Sequence, residues 1–470
     1  MAIPRGSSFL LPDQGMQDPD TICVVSSALG EAGIGVIRMS GPEAHSILTT
    51  IFQPKRPVDS FASHRLYLGF IVNPETRDIV DEVFAVFMNE PSTYTREAMA
   101  EVYSHGGIAP QRQILLLMTQ HGARIAEPGE FTKRAFLNGR IDLAQAESVL
   151  DIIQSESDQE TGSALRHLTG MLSERIGVVK DQVKQALADT EAMIDFPEEE
   201  LDTDTQETVA LLDKARERLR DLIFSYAEGR AIRNGLEVLI VGRSNVGKSS
   251  LLNALLMEEK AIVTPLPGTT RDLIEDVLHI KGVKLRIIDT AGLRKPLDAA
   301  EEQGIERVKK KIPGADVILW VLDNAADYLE EDEQIYQKIE GKRIVSTINK
   351  SDLPQKLEKE RIIAKKLTPI DVSALTGSGL EQLREALYEA IIGSGHKSPA
   401  ILITNIRHRD ALVKADEALQ QATSCIKQEA PLEFTAFELR EALARLGEIT
   451  GETCTDDILN EIFSRFCIGK

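Results

Sequence analysis

Positive charge is scarce in this chain of 470 residues: 54 Lys and Arg stand against 74 Asp and Glu, a formal net charge of −20. That excludes a protein that coats nucleic acid, which needs a basic balance. It leaves room for a local basic site, because charges more than about 8–10 Å apart are largely screened in physiological salt. Cysteine is scarce too. Cys23, Cys425, Cys454 and Cys467 form no C-x-x-C pair and no Cys/His cluster at zinc spacing. So few thiols in so long a chain do not make a disulfide framework, and reduced thiols fit a cytoplasmic protein. No apolar run reaches the roughly 18 residues of a membrane helix. Residues 1–19 lack the basic start and long apolar core of a secretory signal and read as a loose extension. What is present, 42% hydrophobic and 27% charged residues, suits a globular protein of about three domains.

Four stretches differ in character. In 20–138, runs at 21–26, 35–39, 66–72 and 82–88 are rich in Val, Ile and Phe and bounded by Gly, Pro or Asn, a strand pattern, while 110–120 reads as a helix. An α+β domain is expected. In 139–234, Leu165, Leu168, Leu172, Ile176, Val179, Val183 and Leu187 keep the three-and-four spacing of one helix face, and Val209, Leu212, Ala215, Leu219 and Leu222 repeat it. The seven acidic residues of 195–207 between them read as a solvated connection. In 235–395, apolar runs at 236–241, 285–289, 317–322, 344–348 and 369–372 alternate with helical stretches, which implies a mostly parallel sheet with helices on both faces. In 396–470, Leu412, Ala415, Leu419, Ala422 and Ile426, then Leu439, Leu443, Leu446 and Ile449, form two more helical stripes. Amphipathic helices need partners, so 139–234 and 396–470 are expected to pack as one helical domain interrupted by the α/β domain.

Gly242-Arg-Ser-Asn-Val-Gly247-Lys248-Ser249 follows an apolar strand and opens a helical run, the context a phosphate-binding loop requires. Its glycines let backbone N–H groups turn toward phosphate oxygens, and the helix N-terminus adds partial positive charge. Asn245, Val246, Gly247, Lys248, Ser249 and Ser250 are the expected contacts, with Lys248 on the β- and γ-phosphates and Ser249 on Mg²⁺. Asp289-Thr-Ala-Gly292 ends another strand and places a carboxylate near the metal and a glycine N–H near the γ-phosphate. Thr270, in Gly268-Thr-Thr-Arg-Asp272, stands where a switch threonine completes the metal shell. Asn349-Lys350-Ser-Asp352 ends a further strand; Asp352 matches the ring N–H and amine of guanine and has no match on adenine. Sites of that kind discriminate by about 10⁴ or more. Ser373 and Ala374 follow the last strand and offer N–H to the guanine oxygen. Together these define a GTPase. One absence is informative: the position after Gly292 is Leu293, which cannot orient water as glutamine does in Ras-like enzymes. Glu301, Glu302 and Glu306 are candidates within the same switch, each equally readable as a solvated helix glutamate.

Further motifs carry a resemblance: Gly33-Ile-Gly-Val-Ile-Arg-Met-Ser-Gly41, His105-Gly-Gly107, the run from Pro128-Gly-Glu-Phe to Ala-Gln-Ala-Glu147, and the terminal Cys467-Ile-Gly-Lys470. With the GTPase motifs, they resemble the tRNA-modification GTPases of the MnmE (TrmE) family over nearly the whole chain. The resemblance implies a multidomain α/β protein with an α+β N-terminal folate-binding and dimerisation domain, a discontinuous helical domain, and an inserted Ras-like GTPase domain. It implies a homodimer and a heterotetramer with an FAD-dependent partner of the MnmG (GidA) family. The pair add an aminomethyl or carboxymethylaminomethyl group to carbon 5 of the wobble uridine (position 34) of certain tRNAs. The carbon comes from 5-formyl- or methylene-tetrahydrofolate.

By that resemblance Arg38, Glu101, Arg140 and Lys470 contact folate. Relatives can carry lysine at Arg140, and the two cations differ in geometry. Asn245, Thr264, Leu266 (by its carbonyl) and Thr269 match a K⁺ site, and Glu301 falls where the family's water-orienting glutamate lies. Cys467 is open between nucleophile, ligand contact and packed thiol.

An alternative class is a ribosome-assembly or RNA-associated regulatory GTPase, which shares Gly268-Thr-Thr-Arg-Asp272 and the apolar residue after Gly292. One P-loop, no convincing KH-like element and an acidic balance speak against it. A third reading makes the flanking parts a dimer scaffold. Arg124, Lys133, Arg134 and Arg140 are the densest basic stretch near the expected folate site and read equally as solvated charges.

Overall fold

Alternation of apolar residues builds the first sheet. The computed structural model describes residues 20–28, 30–196, 205–260, 276–280, 283–289, 312–392, 401–467 and 469. Its seven strands are β1 (Ile22–Val25), β2 (Gly35–Ser40), β3 (Phe52–Pro54), β4 (Arg65–Val72), β5 (Ile79–Met88), β6 (Met99–Ser104) and β7 (Arg124–Ile125), in the order β3-β4-β5-β6-β2-β1-β7. All pairings are antiparallel except β1 with β7. Cys23, Ile37 and Met39 face the helices Ala44–Ile51 and Ile108–Gln120, which cover them with Leu48, Ile51, Ile114 and Met118. Ile22, Val24 and Met99 point the other way, onto Phe131 and Ala126. Phe131 is fully buried, so its loss would cost about 3–5 kcal/mol. The expected strands are all present. β6 escaped the sequence reading because Glu101 and Ser104 interrupt its apolar pattern.

The helices Met171–Asp195 and Leu432–Thr450 pack against each other. They bury Leu172, Ile176, Val179 and Val183 on one side and Leu439, Ala442, Leu446 and Ile449 on the other. Ion pairs Lys180–Glu452 and Glu191–Arg440 show that they run antiparallel. The stripe expected to run unbroken from Leu165 to Leu187 is divided. Gly170, at φ 85°, separates Asp158–Leu168 from Met171–Asp195, and Leu165 is exposed. A left-handed residue ends a helix whatever the side-chain period around it. The helix Asp456–Ser464 brings Phe463 and Phe466 onto Phe136. A Cβ at Gly129 would lie 2.7 Å from the Phe463 carbonyl, so this docking needs glycine there.

A second compact unit holds residues 151–166 and 217–413, the first holding 1–150, 167–216 and 414–470. Its sheet contains β8 (Leu236–Val241), β9 (Asp276–Ile280), β10 (Val283–Asp289), β11 (Val317–Asp323), β12 (Ile344–Asn349) and β13 (Ile370–Asp371), in the order β13-β12-β11-β8-β10-β9. Only β9 runs antiparallel to its neighbour. β8 and β11 are buried on both faces, hence apolar without alternation. Val238, Ile240, Leu319 and Val321 meet Leu251, Leu255, Leu383 and Leu387 of the helices Lys248–Lys260 and Leu380–Ile392. Leu239, Val241, Ile318 and Trp320 meet Ile339 and Ile362 of Glu330–Ile339 and Glu360–Ile363. The carboxyl ends of β8, β11 and β12 thereby lie side by side, where ligands bind in open α/β sheets. Among the described residues no helix is long and apolar enough to cross a membrane.

Candidate functional site

The loop after β8 turns through Gly242, Asn245 (φ 64°) and Gly247 (φ 91°) into the helix Lys248–Lys260. Val246 is buried beneath it, while Asn245, Ser249 and Ser250 are exposed at the helix start. Lys248 donates to the carbonyls of Gly242 at 2.8 Å and Arg243 at 2.7 Å, which holds its ammonium over the loop. The next residues come from β12. Asn349, almost fully buried, donates from Nδ2 to the Val246 carbonyl at 3.0 Å and accepts the Ala374 N–H on Oδ1 at 3.1 Å. It ties phosphate loop, base loop and last strand together. A Cβ at Gly247 would come within 2.3 Å of that Nδ2, a second reason for glycine besides its φ. Lys350 donates to the Asn245 carbonyl at 2.9 Å and to Asp323 at 2.6 Å. Asp352 is exposed and accepts from the buried Ser373 hydroxyl at 2.5 Å, which fixes its carboxylate while leaving it acceptor capacity for a base.

The structure therefore joins Asn245, Val246, Gly247, Lys248, Asn349, Lys350, Asp352, Ser373 and Ala374 in one site. Asp289 ends β10, directly beside β8. Thr264, Leu266, Thr269, Thr270, Gly292, Leu293 and Glu301 lie outside the described residues, as does Lys470. Two supports escaped the sequence reading. Asp323 ends β11 and holds Lys350; its position at a strand's carboxyl end was the available signal. Arg243 pairs with the fully buried Asp332 at 2.8 Å, and Asp332 also accepts the Leu329 N–H. Burial raises the Asp332 carboxyl above its ordinary value, against the opposing pull of Leu329 N–H and Arg243. That pair had no sequence signal, because its members lie 89 residues apart.

A second polar cluster lies on the first sheet. Arg38 on β2 is opposite Glu101 on β6, and their side chains pair at 3.2 Å. Arg38 lies 5.8 Å from the Phe131 ring centroid and donates to the Gly469 carbonyl at 3.4 Å. Its buried Nε has no hydrogen-bond partner among the described residues. Tyr103 donates to Glu101 at 2.7 Å; burial, then that bond, push its hydroxyl up to about 12, so it stays a donor. Arg140 stacks 4.7 Å from the Tyr94 ring centroid, and that ring belongs to the same apolar cluster as Phe131. No hydrogen bond or ion pair joins Arg140 to Arg38 or Glu101 among the described residues. Cys467 is exposed two residues before Gly469. Of the basic stretch, Arg124 and Arg134 are committed to Asp20 and Glu130.

A phosphate-binding loop locked to an Asn-Lys-x-Asp base site on a Ras-like sheet defines a P-loop GTPase. Its surroundings narrow the class. The family model described as the GTP-binding protein TrmE N-terminus matches residues 21–140, and that of the MnmE helical domain matches 143–467. The tRNA modification GTPase MnmE of Natranaerobius thermophilus is 44% identical over 455 residues, 96% of this chain and 99% of that one. That of Geobacter sulfurreducens is 45% identical over 456 residues, with the same coverage. Among solved structures, Aquifex aeolicus Era is similar over 40% of this chain and 67% of its own, at 31% identity and a TM-score of 0.27. The chain belongs to the MnmE family of GTPases.

Proposed function

We propose that this chain is a potassium-stimulated GTPase that modifies tRNA. It works as a homodimer joined through its N-terminal domain, in a heterotetramer with an FAD-dependent partner of the MnmG family. Together they place an aminomethyl or carboxymethylaminomethyl group on carbon 5 of the wobble uridine. The observation that carries this reading is the coexistence, in one chain of that family, of a guanine-selecting site and a separate polar cluster beside the C-terminal tail.

That cluster fits a folate. Among the described residues Arg38 has a buried donor left over and Arg140 has no ion pair, which suits a carboxylate, while Glu101 is an acceptor suited to ring N–H groups. Lys470 is proposed as a further contact. When bound, the tetrahydrofolate derivative supplies the one-carbon unit. Arg38 and Glu101 bind and orient it, and the tail carrying Cys467 bounds the site through Gly469. The role of Cys467 as a reacting thiol is part of the proposal.

In the nucleotide site, Ser249, Thr270 and Asp289 are proposed to hold Mg²⁺. The exposed serine at the helix start and the placement of Asp289 beside β8 support this. Asn245, Thr264, Leu266 and Thr269 are proposed to hold K⁺. The Asn245 side chain is exposed, while its carbonyl is already taken by Lys350. Glu301 orients the attacking water in place of the missing glutamine. The dimer is supported by an apolar face on β4 and β5, where Leu66, Leu68 and Phe84 are exposed together.

GTP hydrolysis should be much faster in KCl than in NaCl, and Glu301→Ala should retain GTP binding while losing turnover. Equal rates in the two salts would sink the ion assignment. Transfer RNA from a strain lacking the protein should lack the wobble modification; normal nucleosides there would refute the function.

A further inference from the structure

An open cleft of about 440 Å³ lies beside Met88 at the end of β5, within the ~300–1,000 Å³ range usual for small-molecule sites. Its walls include Arg96, Arg140, Tyr94, His64, Met88 and Pro91, and among the described residues no acidic one lines it. In a chain of net charge −20 that is unexpected. Arg124 and Arg134, on the same domain, are each paired with carboxylates. Among the described residues the Arg140 guanidinium has the Tyr94 ring beneath it, and Arg96 donates to the Asn138 carbonyl, at 2.9 Å from Nη1. Neither makes an ion pair among the described residues. The His64 ring is fully used, Nδ1 accepting from Ser63 and Nε2 donating to the Ser92 carbonyl, so it forms wall and adds no ligand. His64 and Arg96 both have φ 60°. Left-handed backbone costs a non-glycine residue free energy and concentrates at ligand sites. The same conformation recurs at Asn245 and Lys350 in the nucleotide site.

We propose that this cavity is a subsite for a run of carboxylates, the second and later glutamates of a polyglutamyl tetrahydrofolate, gripped by Arg96. The inference rests on the folate reading of Arg38, Glu101 and Arg140. Arg140 takes the first glutamate, and the cavity leads from there to Arg96. A guanidinium fork matches a carboxylate bidentately, and successive glutamates present the repeated anions that two separated guanidiniums require.

The test is calorimetric titration of the full-length protein with 5-formyl-tetrahydrofolate as mono- and triglutamate. Wild type should bind the triglutamate about fivefold more tightly, in proportion to an added charge-assisted contact on an exposed surface. Arg96→Gln should bring the ratio near one while monoglutamate affinity and GTP hydrolysis stay unchanged. Arg96→Lys should keep part of the preference, which separates lost charge from misfolding. Equal affinity of wild type for the two ligands overturns the subsite and leaves the folate site standing. No binding of either overturns the folate reading as well. If Arg96→Gln keeps the triglutamate preference but weakens retention of tRNA, the cavity serves phosphates and the proposal fails.

Discussion

The nucleotide site and the Arg38 cluster both use side chains set on sheets, but they are assembled in opposite ways. The nucleotide site is made of short contiguous motifs at the carboxyl ends of β8, β10, β11 and β12. Each motif carries its own turn, and Asn349 and Lys350 then lock the motifs to one another. The Arg38 cluster is made of single residues: one on β2, its cross-strand neighbour on β6, and a backbone carbonyl 431 residues further along. The first is a device repeated wherever the local sequence recurs. The second exists only when the whole first unit has folded and the helix Asp456–Ser464 has docked through Phe463 and Phe466.

The contrast predicts crossed phenotypes, one ligand lost and the other kept. The largest effect belongs to Asp352→Asn. It removes the charged acceptor proposed to face two guanine donors, worth roughly 1.5–3 kcal/mol each, so GTP affinity should fall by about 10²–10⁴ in a titration with folate binding unchanged. Loss of both ligands would mean that the two sites are not separable. Arg38→Ala comes next. It leaves Glu101 and the Gly469 carbonyl without their cation and should weaken folate binding by about 10–100-fold, while GTP hydrolysis is kept. Asp323→Ala should be milder. Lys350 keeps the Asn245 carbonyl but loses its carboxylate, so GTP affinity should drop by about tenfold, chiefly through faster dissociation.

The smallest effect concerns pH. His105 donates through Nδ1 to Asp81 at 2.6 Å, and that bond raises the histidine above its ordinary value. A raised folded value gives stability that is complete below the unfolded value of about 6.5 and lost as pH climbs through the folded one. The melting temperature should therefore decline slightly between pH 6 and 8 in wild type and not in His105→Gln. The nucleotide site should show no matching change.

The same contrast explains what could be read from the sequence. The sheet of the second unit and its loops were legible because β8 and β11 are apolar on both faces and the motifs sit at their ends. Arg38 and Glu101 were reachable only through family resemblance, since no local pattern links β2 to β6. β6 itself was hidden by Glu101, whose charge interrupts the apolar pattern. Asp332 was invisible because a buried carboxylate 89 residues from Arg243 reads as one more acid in Glu330–Ile339, whose first turn is wholly acidic. The break at Gly170 was missed because spacing reports which face is apolar and says nothing of a left-handed residue. Thr264–Thr270 and Glu301 carry the clearest expectations about ion and water, and they fall outside the described residues.

The central claim is that two chemically separate sites serve one modification. It is tested most directly by restoring a strain that lacks the protein with wild type, Arg38→Ala or Asp352→Asn and analysing the nucleosides of its tRNA. The expected result is that wild type alone restores the substituent on carbon 5 of the wobble uridine. Full restoration by either variant, expressed at the wild-type level, would contradict it.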